Sequence, residues 1–344
     1  MGTAEAPKPP FPGPPGEGAP SWLLPLLACP FCRGPLLGEG CPGCGRVFPR
    51  KGGFLDLRAF RERPHLALAN RLPPVAALYD LWRTRSTGLL SGGRLDLAGE
   101  LALLREWLLP TGGPFLDVGT GPGHHLLLLL ELLPHLEPVA VEPSPASRQA
   151  LAQLIPGVEG LPEDFTLLDP EETFPLIVCV GASHHMSTWR FLEKAYRLLR
   201  PGGLLAVADE FLRPFTTREE RARNLVLHHT AYLLPFPLEE TEALWALRLL
   251  ALQGESRGLR ALAEEALQDL ETRSDAFATF ARLELQALLA GLDYEVETKT
   301  YPRRFLELAF AVGFELEHHH RLFATHGRGS WDGGTHLFLL RRPK

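Results

Sequence analysis

Apolar residues in the middle of the chain occur in short runs that alternate with longer segments of helical spacing. The runs at 115–116, 139–141 and 176–180 are short and apolar enough to be buried strands. The apolar run 126–130 predicts a buried helix, and FLEKAYRLLRPGG predicts a helix that ends in a Pro-Gly-Gly turn. The segment LLAVADEF predicts a further strand that ends in two acidic residues. This pattern predicts an α/β fold.

A second pattern begins after residue 211. Residues from about 212 to 300 are predicted to be a helical insertion. Leucine and alanine repeat there at helical spacing, at Leu259, Leu262, Ala263, Ala266, Leu267 and Leu270. The segment RRFLELAFAVGF then predicts a helix that ends at Gly313. The last segments, FELEHHHRLFA and THLFLLRRP, predict two strands that form an antiparallel hairpin.

The most specific motif is the nonapeptide LDVGTGPGH at 116–124, between a predicted strand and a predicted helix. Three alternating glycines allow a tight turn and let backbone N–H groups approach a nucleotide-like ligand closely. The dinucleotide pattern G-x-G-x-x-G fails, because the third position is His124 or Leu126. The pattern that fits is D-x-G-x-G-x-G, beginning at Asp117.

This pattern resembles motif I of the class I S-adenosylmethionine (SAM) methyltransferases. The resemblance covers about 115–211 and the last 40 residues, and includes the helix, RPGG turn and strand in that order. Glu142 ends the second strand, 23 residues after Gly119, where an acidic residue can accept hydrogen bonds from ribose hydroxyls. One departure is Phe174-Pro175, where the family usually has Phe-Asp.

The resemblance implies a Rossmann-like seven-stranded sheet, completed by the C-terminal hairpin, and SAM-dependent methyl transfer. It implies a set of cofactor-binding residues, in which Glu163 or Asp164 lies near the adenine: Asp117, Gly119, Thr120, Gly121, Gly123, Glu142, Glu163, Asp164 and Gly181.

Four of the five cysteines form the pattern C-x2-C-x8-C-x2-C, at Cys29, Cys32, Cys41 and Cys44. Two CxxC pairs at this spacing predict a structural, tetrahedral Zn²⁺ site, with disulfides as the alternative. Cys179 lies in an apolar strand and is predicted to be a core residue. The segment resembles the zinc ribbon of bacterial 23S rRNA guanine methyltransferases, in which one ligand is often His, and the small zinc-ribbon proteins that activate methyltransferases.

These patterns divide the chain into six segments. They are a disordered, proline-rich tail (1–20), a zinc ribbon (21–58), a helical bridge or cofactor cap (59–110), a SAM-binding core (111–211), the insertion (212–300) and the C-terminal helix and hairpin (301–344). In the bridge, Tyr79, Trp82 and Arg83 are candidates for contact with SAM, with a core role as the alternative.

Composition restricts the partners. The chain is 45% hydrophobic and 22% charged, with a net charge of −6, which argues against a protein that mainly coats nucleic acid. No apolar stretch is long enough to predict a membrane span, no secretory signal is recognised, and a cytoplasmic location is expected. Residues 29–63 are basic and could contact RNA phosphates, whereas 212–300 are acidic; for both, a solvated surface is the alternative.

Methyl transfer requires the donor and the nucleophile to be held in line, and it requires a base only when the nucleophile must lose a proton. Ligands of such sheets bind beyond the carboxyl ends of the strands, where GASHHM follows the fourth strand. His184 and His185 are therefore candidate general bases, with packing or pocket-lining roles as the alternative. The other histidine clusters, including His228-His229 and 318–320, are not expected to bind a second metal.

The acceptor is predicted from the same loop. GASHHM lacks an Asn/Asp-Pro-Pro-Tyr segment and a Pro-Cys nucleophile, and it resembles the small-molecule and quinone-type methyltransferases. The prediction is a small, apolar or aromatic acceptor, covered by the insertion with Trp245, Phe277 and Phe280; a dimerisation arm is the alternative role for the insertion. Two alternatives for the chain are an RNA methyltransferase that docks rRNA or tRNA through the ribbon, and a non-catalytic SAM-binding protein whose ribbon docks a protein. The pattern does not predict an oligomeric state.

Overall fold

The computed structural model describes residues 29, 32, 36–48, 50–51, 54–55, 97–108, 112–156, 158–161, 173–234, 238, 241–292 and 299–344. Several sequence predictions lie outside these residues: the tail at 1–20, the candidate contacts Tyr79, Trp82 and Arg83, and the adenine-side candidates Glu163 and Asp164.

Nine strands in the described residues form one sheet. They are β1 (Arg50–Lys51), β2 (Phe54–Leu55), β3 (Gly113–Val118), β4 (Leu136–Val141), β5 (Glu159–Leu161), β6 (Phe174–Val180), β7 (Leu199–Phe211), β8 (Glu315–Ala324) and β9 (Gly334–Arg341). Their order is β1-β2-β5-β4-β3-β6-β7-β9-β8. Neighbours from β5 to β7 are parallel, and β9 is antiparallel to β7 and β8. The seven strands β3 to β9 confirm the predicted Rossmann-like α/β sheet with a C-terminal hairpin.

Nine helices accompany the sheet within the same described ranges. They are α1 (Leu97–Leu108), α2 (His124–Leu132), α3 (Pro145–Leu154), α4 (Thr188–Leu198), α5 (Arg218–Leu233), α6 (Glu242–Leu252), α7 (Leu259–Asp269), α8 (Ala276–Leu292) and α9 (Pro302–Val312). Buried residues of α1, α2 and α3 form one apolar core with the sheet, and those of α4 and α9 form a second. The sheet is thus covered on both faces, which is why β6 is apolar almost throughout.

Local signals set several helix ends. Ser144 caps α3 by accepting a hydrogen bond from the Ser147 N–H at 3.3 Å, and Pro145 occupies the first turn. Thr217 and Glu220 form a reciprocal capping box at the start of α5. The helix α9 ends at Gly313, as predicted, and Gly313 lies in the left-handed region with φ of 116°.

The insertion contains α5 to α8. These helices share an apolar core of their own, which includes Leu225, Leu244, Ala263, Phe280 and Leu285. Phe277 and Phe280, predicted to cover an acceptor, are buried in this core, whereas Trp245 on α6 is half exposed. The insertion therefore has its own core, and it meets the sheet through polar side chains such as His228 and through the aromatic pair Tyr232–Phe323.

The cysteine-rich module joins the opposite edge of the sheet. Isolated bridges link Leu37 to Gly40 and Gly40 to Val47, and the β1–β2 hairpin follows. The first predicted strand, GRVFP, has only the bridge at Val47, whereas GGFLDLR contains β2. Because β2 pairs with β5 at Gly160, the module lengthens the sheet beyond the seven strands predicted. None of the helices that the structure describes is long and apolar enough to cross a membrane.

Candidate functional site

The carboxyl ends of four parallel strands bring the predicted site residues to one edge of the sheet. Val118 at the end of β3 pairs with Val141 of β4 and with Cys179 of β6, and Val180 pairs with Ala208 of β7. The glycine turn, Glu142, the Gly181 loop and the Asp209 region are therefore neighbours, although up to about 90 residues separate them in sequence. Cys179 itself is buried, as predicted for a core residue.

The glycines at this edge are of two kinds. A Cβ on Gly119 would collide with the Ala182 Cβ, and one on Gly123 would collide with the Leu151 side chain. In contrast, a Cβ on Gly121 or Gly181 would meet nothing within 4 Å. All four have positive φ, between 59° and 92°. Gly119 and Gly123 therefore allow close packing, whereas Gly121 and Gly181 leave backbone facing open space that a ligand could occupy.

Glu142 lies beside Gly121, is buried and is held by backbone donors. Its Oε2 accepts a hydrogen bond from the Gly121 N–H at 2.7 Å, and its Oε1 accepts one from the Ser144 N–H at 2.6 Å. Burial raises the pKa of Glu142, and the same two N–H groups oppose that rise. Each carboxylate oxygen has a second lone pair, so the donors fix the side chain and leave it able to accept ribose hydroxyls. These residues fit the nucleoside part of SAM.

Asp117 is fully buried and pairs with a histidine for which the sequence analysis gave no individual role. The Nε2 of His125, on α2, lies 3.2 Å from Oδ1 and 3.1 Å from Oδ2 of Asp117. Thr120 Oγ1 donates to the Asp117 carbonyl at 3.0 Å, and the Gly119 N–H donates to the Val141 carbonyl at 2.7 Å. These bonds fix the glycine turn to β3, β4 and α2.

The two candidate bases lie in a short 3₁₀ turn, Ser183–His185, directly after β6. The Nδ1 of His184 is 2.6 Å from Oδ1 of Asp209 on β7, and the His184 backbone N–H donates to Oδ2 at 2.9 Å. Ser183 Oγ and the Glu210 N–H also donate to this carboxylate. Burial would raise the pKa of Asp209, but the imidazole of His184 and these donors hold it below its usual value. An ionised Asp209 favours the tautomer with the proton on Nδ1, which makes Nε2 of His184 an acceptor.

His185 is placed differently. Its ring lies 4.0 Å from the His184 ring, centroid to centroid, with a 48° tilt. Asp209 was predicted only as the end of a strand, and its role as a partner of His184 depends on strand pairing, which the sequence does not give. The geometry therefore separates two histidines that the sequence could not distinguish.

A second polar cluster lies beside this pair, where the insertion meets the sheet. Glu210 Oε2 accepts a hydrogen bond from His228 Nε2 at 3.0 Å and forms an ion pair with Lys299 Nζ at 3.2 Å. His229 Nδ1 lies 2.8 Å from Glu284 Oε2. The His228-His229 pair is visible in the sequence, but its carboxylate partners, 18 and 55 residues away along the chain, were not predicted.

Charge in this cluster is unevenly distributed. Burial lowers the pKa of His228 to about 4, so this imidazole is neutral at pH 7. Burial opposes ionisation of Glu210, yet the Lys299 ammonium and the His228 hydrogen bond hold its pKa well below its usual range. Burial raises the pKa of Glu284, and the charge of Glu210 raises it further.

The four predicted metal ligands come together in the cysteine-rich module. The sulfurs of Cys29 and Cys44 are 3.6 Å apart, those of Cys32 and Cys41 are 3.3 Å apart, and all four lie within 4.8 Å of one another. Sulfurs bound at about 2.3 Å to a tetrahedral zinc lie about 3.8 Å apart. None of the cysteines that the structure describes is in a disulfide. The donor set and its spacing fit one Zn²⁺.

The residues at this edge of the sheet lie in a region that is similar to known proteins. Residues 116–205 match the family model described as a methyltransferase domain. No curated protein matches the chain. Solved structures that are similar include a SAM-dependent methyltransferase, possible histamine N-methyltransferase, from Thermotoga maritima (18% identity, 78% of this chain and 96% of that chain, TM-score 0.41).

A second similar structure is the complex between the Haloferax volcanii Trm112 methyltransferase activator and the putative methyltransferase (12% identity, 83% of this chain and 100% of that chain, TM-score 0.44). A third is the sugar N-methyltransferase KedS8 from Streptoalloteichus (27% identity, 39% of this chain and 54% of that chain, TM-score 0.31). The chain spans just over half the length of the first solved structures it matches. Residues 116–205, which contain the glycine turn, Glu142 and the Ser183–His185 turn, are therefore similar to a methyltransferase domain, and this similarity supports SAM-dependent methylation.

Proposed function

We propose that this chain transfers a methyl group from SAM to a small-molecule acceptor, and that His184 acts as the general base. The observation that carries the proposal is the His184–Asp209 pair, at the sheet edge that also presents the open backbone of Gly121 and Gly181. When bound, SAM would supply an electrophilic methyl group and a neutral leaving group.

The chain's own residues have three roles in this proposal. Asp117, Thr120 and the motif glycines 119, 121 and 123 shape the turn, Glu142 accepts the ribose hydroxyls, and Gly181 leaves room beside the turn. Asp209 fixes the His184 ring with Nε2 as a proton acceptor, so His184 can take a proton from the nucleophile. The acceptor predicted from the sequence is apolar or aromatic and is covered by the insertion. Tyr232 and Phe323, whose ring centroids are 5.0 Å apart, provide aromatic surface where α5 meets the sheet.

Binding and transfer are tested separately. Calorimetry should show SAM and S-adenosylhomocysteine binding to the purified chain, and Glu142→Ala should weaken it by about 1–3 kcal/mol because a charged acceptor is lost. Labelled SAM is then supplied with a small-molecule extract, with ribosomal RNA and with transfer RNA. His184→Ala should slow methylation by about 10²–10⁴-fold and leave SAM affinity unchanged.

His185→Ala is the matched control, and we expect it to slow the reaction much less. Each outcome is decisive for one part of the proposal. Absence of SAM binding contradicts the proposal as a whole. SAM binding without any methylated product favours a non-catalytic protein, and methylated RNA favours the docking of RNA by the basic cysteine-rich module.

We also propose that Cys29, Cys32, Cys41 and Cys44 hold one structural Zn²⁺. Because thiolate ligands must be assembled on the metal, folding of this module would depend on zinc. Elemental analysis of protein purified without chelator should give about one zinc per chain. Protein without zinc, whose four thiols are paired as disulfides, would contradict this assignment.

A further inference from the structure

We infer that the acceptor presents a protonated amine to Glu210 and Glu284, and that the methyl group is transferred to this nitrogen. The inference rests on the proposed function and names the substrate class for the same edge of the sheet. It is carried by the arrangement of charged groups where α5, α8, β7 and Lys299 meet.

The carboxylates, and not the cation, face solvent in this cluster. The side chains of Glu210 and Glu284 are 26% and 16% exposed, whereas those of Lys299 and His228 are 1% and 0% exposed. A ligand that approaches the cluster therefore meets two carboxylates before it meets the ammonium. A carboxylate or phosphate on the acceptor would be repelled at this point.

Each of the two carboxylates also has an oxygen available. Oε2 of Glu210 contacts both His228 and Lys299, and Oε2 of Glu284 contacts His229. Among the residues that the structure describes, no hydrogen bond to Oε1 of either side chain is found. Oε1 of each side chain is therefore open to a donor on a ligand, and an ammonium group offers up to three donors.

The balance of charge favours a cationic partner. Asp209, Glu210 and Glu284 bring three carboxyl groups to the neighbourhood of His184, and Lys299 brings one ammonium. The neighbouring Arg213 pairs with Asp332, and Arg321 donates to backbone carbonyls of the loop at 326–333. Neither arginine hydrogen-bonds to Glu210 or Glu284. The remaining negative charge would be offset by an ammonium group on the acceptor.

Proton and electron balance is complete without another reactant. An N–H proton of the bound ammonium moves to Nε2 of His184, which leaves a lone pair on nitrogen. That pair forms the new C–N bond as the C–S bond breaks, and the C–S electrons remain on sulfur. The product is a methylated ammonium, and His184 releases its proton to solvent. Glu210 and Glu284 hold the cation before and after transfer.

The experiment uses the full chain at pH 7 and pairs of isosteric acceptors, 2-phenylethylamine with 2-phenylethanol and hexylamine with hexanol. We expect calorimetry to detect amine binding, but not alcohol binding, to the protein loaded with S-adenosylhomocysteine. Glu284→Gln keeps an oxygen for His229 but removes the charge, so it should weaken amine binding by about tenfold or more. With labelled SAM, methylated product should form from amines and not from alcohols.

Glu264→Gln is the matched control, because Glu264 is an exposed carboxylate on α7, paired with Arg260, and should leave amine binding unchanged. Methylated alcohols without methylated amines would overturn the inference. The same holds if no amine binds to a protein that still binds SAM, or if Glu284→Gln and Glu210→Gln bind amines as the unaltered protein does. If SAM itself fails to bind, the proposed function is contradicted instead.

Discussion

The two halves of the sheet's carboxyl edge are held together by different groups. At the ends of β3 and β4, backbone N–H groups of Gly119, Gly121 and Ser144 make the fixing hydrogen bonds, to the Val141 carbonyl and to Glu142. At the end of β7, the contacts centre on a side chain: the Asp209 carboxylate binds the Ser183 hydroxyl and the His184 imidazole as well as two backbone N–H groups. The first half, the cofactor half, contains the glycine turn and Glu142. Its backbone geometry fixes it, so few residue types fit there. The second half, the acceptor half, is centred on His184, Asp209 and Glu210. Its side chains can differ between proteins while the sheet remains the same, which suits a region that selects the acceptor.

The largest effect is expected from Asp209→Asn, which tests whether the charge of this side chain controls the acceptor half. Asn keeps the shape but not the charge, so the His184 tautomer and the stabilisation of its protonated form are lost. We expect kcat to fall by about 10²–10⁴-fold, with SAM affinity unchanged. Because Asp209 is a positioning residue, the pH profile of kcat should also shift.

Ser183→Ala is the comparison variant, since it removes one donor to Asp209 and keeps the carboxylate; its effect on kcat should be smaller. Melting temperatures of both variants show whether the fold is intact. A lower kcat in Asp209→Asn with an unchanged pH profile would indicate a purely structural role for Asp209.

The next effect separates two glycines of the cofactor half. Ala at position 119 must adopt a φ near 72° and collide with Ala182, so we expect Gly119→Ala to lose about 2–5 kcal/mol of unfolding free energy. Ala at position 121 meets no neighbour, so Gly121→Ala should lose only the backbone cost of about 1–2 kcal/mol. Its methyl group would instead occupy the open space and weaken SAM binding.

Urea unfolding and calorimetry measure these two quantities on the same samples. Two outcomes would contradict the different roles of Gly119 and Gly121: equal loss of stability in both variants, or unchanged SAM affinity in Gly121→Ala. Equal loss of stability would contradict the collision at Gly119, and unchanged SAM affinity would mean that the ligand does not lie in the open space at Gly121.

The contrast between the halves also explains what the sequence could predict. The glycine turn is a continuous nonapeptide, and Glu142 follows at the next strand end, so local pattern and spacing were enough to select them. The partners Asp209, Glu284 and Lys299 come from separate segments and meet only after the strands pair and the insertion packs. Polar residues on a helix such as α5 look like a solvated face until their partners are known. The extension of the sheet by β2 was missed for the same reason, because its pairing with β5 joins residues more than 100 positions apart.

The smallest effect for each pH unit is expected from mild acid, which should weaken the acceptor half and not the cofactor half. His228 has its pKa lowered by burial from 6.5 to about 4, so between these values the unfolded chain binds a proton that the folded chain does not. The free energy of unfolding should therefore fall as pH decreases from 6.5 towards 4, by about 1.4 kcal/mol per pH unit for this group. The pKa of Glu142 is raised instead, so acid does not weaken the cofactor half in this way.

Hydrogen exchange read by peptide mass spectrometry can follow both halves in one sample. We expect peptides from α5 to lose protection between pH 6.5 and 4.5, after correction for intrinsic exchange, before peptides from β3 and β4 do. His228→Gln can still donate to Glu210 but cannot titrate, so the loss in α5 should become shallower. His135→Gln, which removes an exposed histidine, should leave it unchanged. Equal loss of protection in both halves at every pH would mean that the edge responds to acid as one unit, and that side-chain and backbone fixing do not differ in this respect.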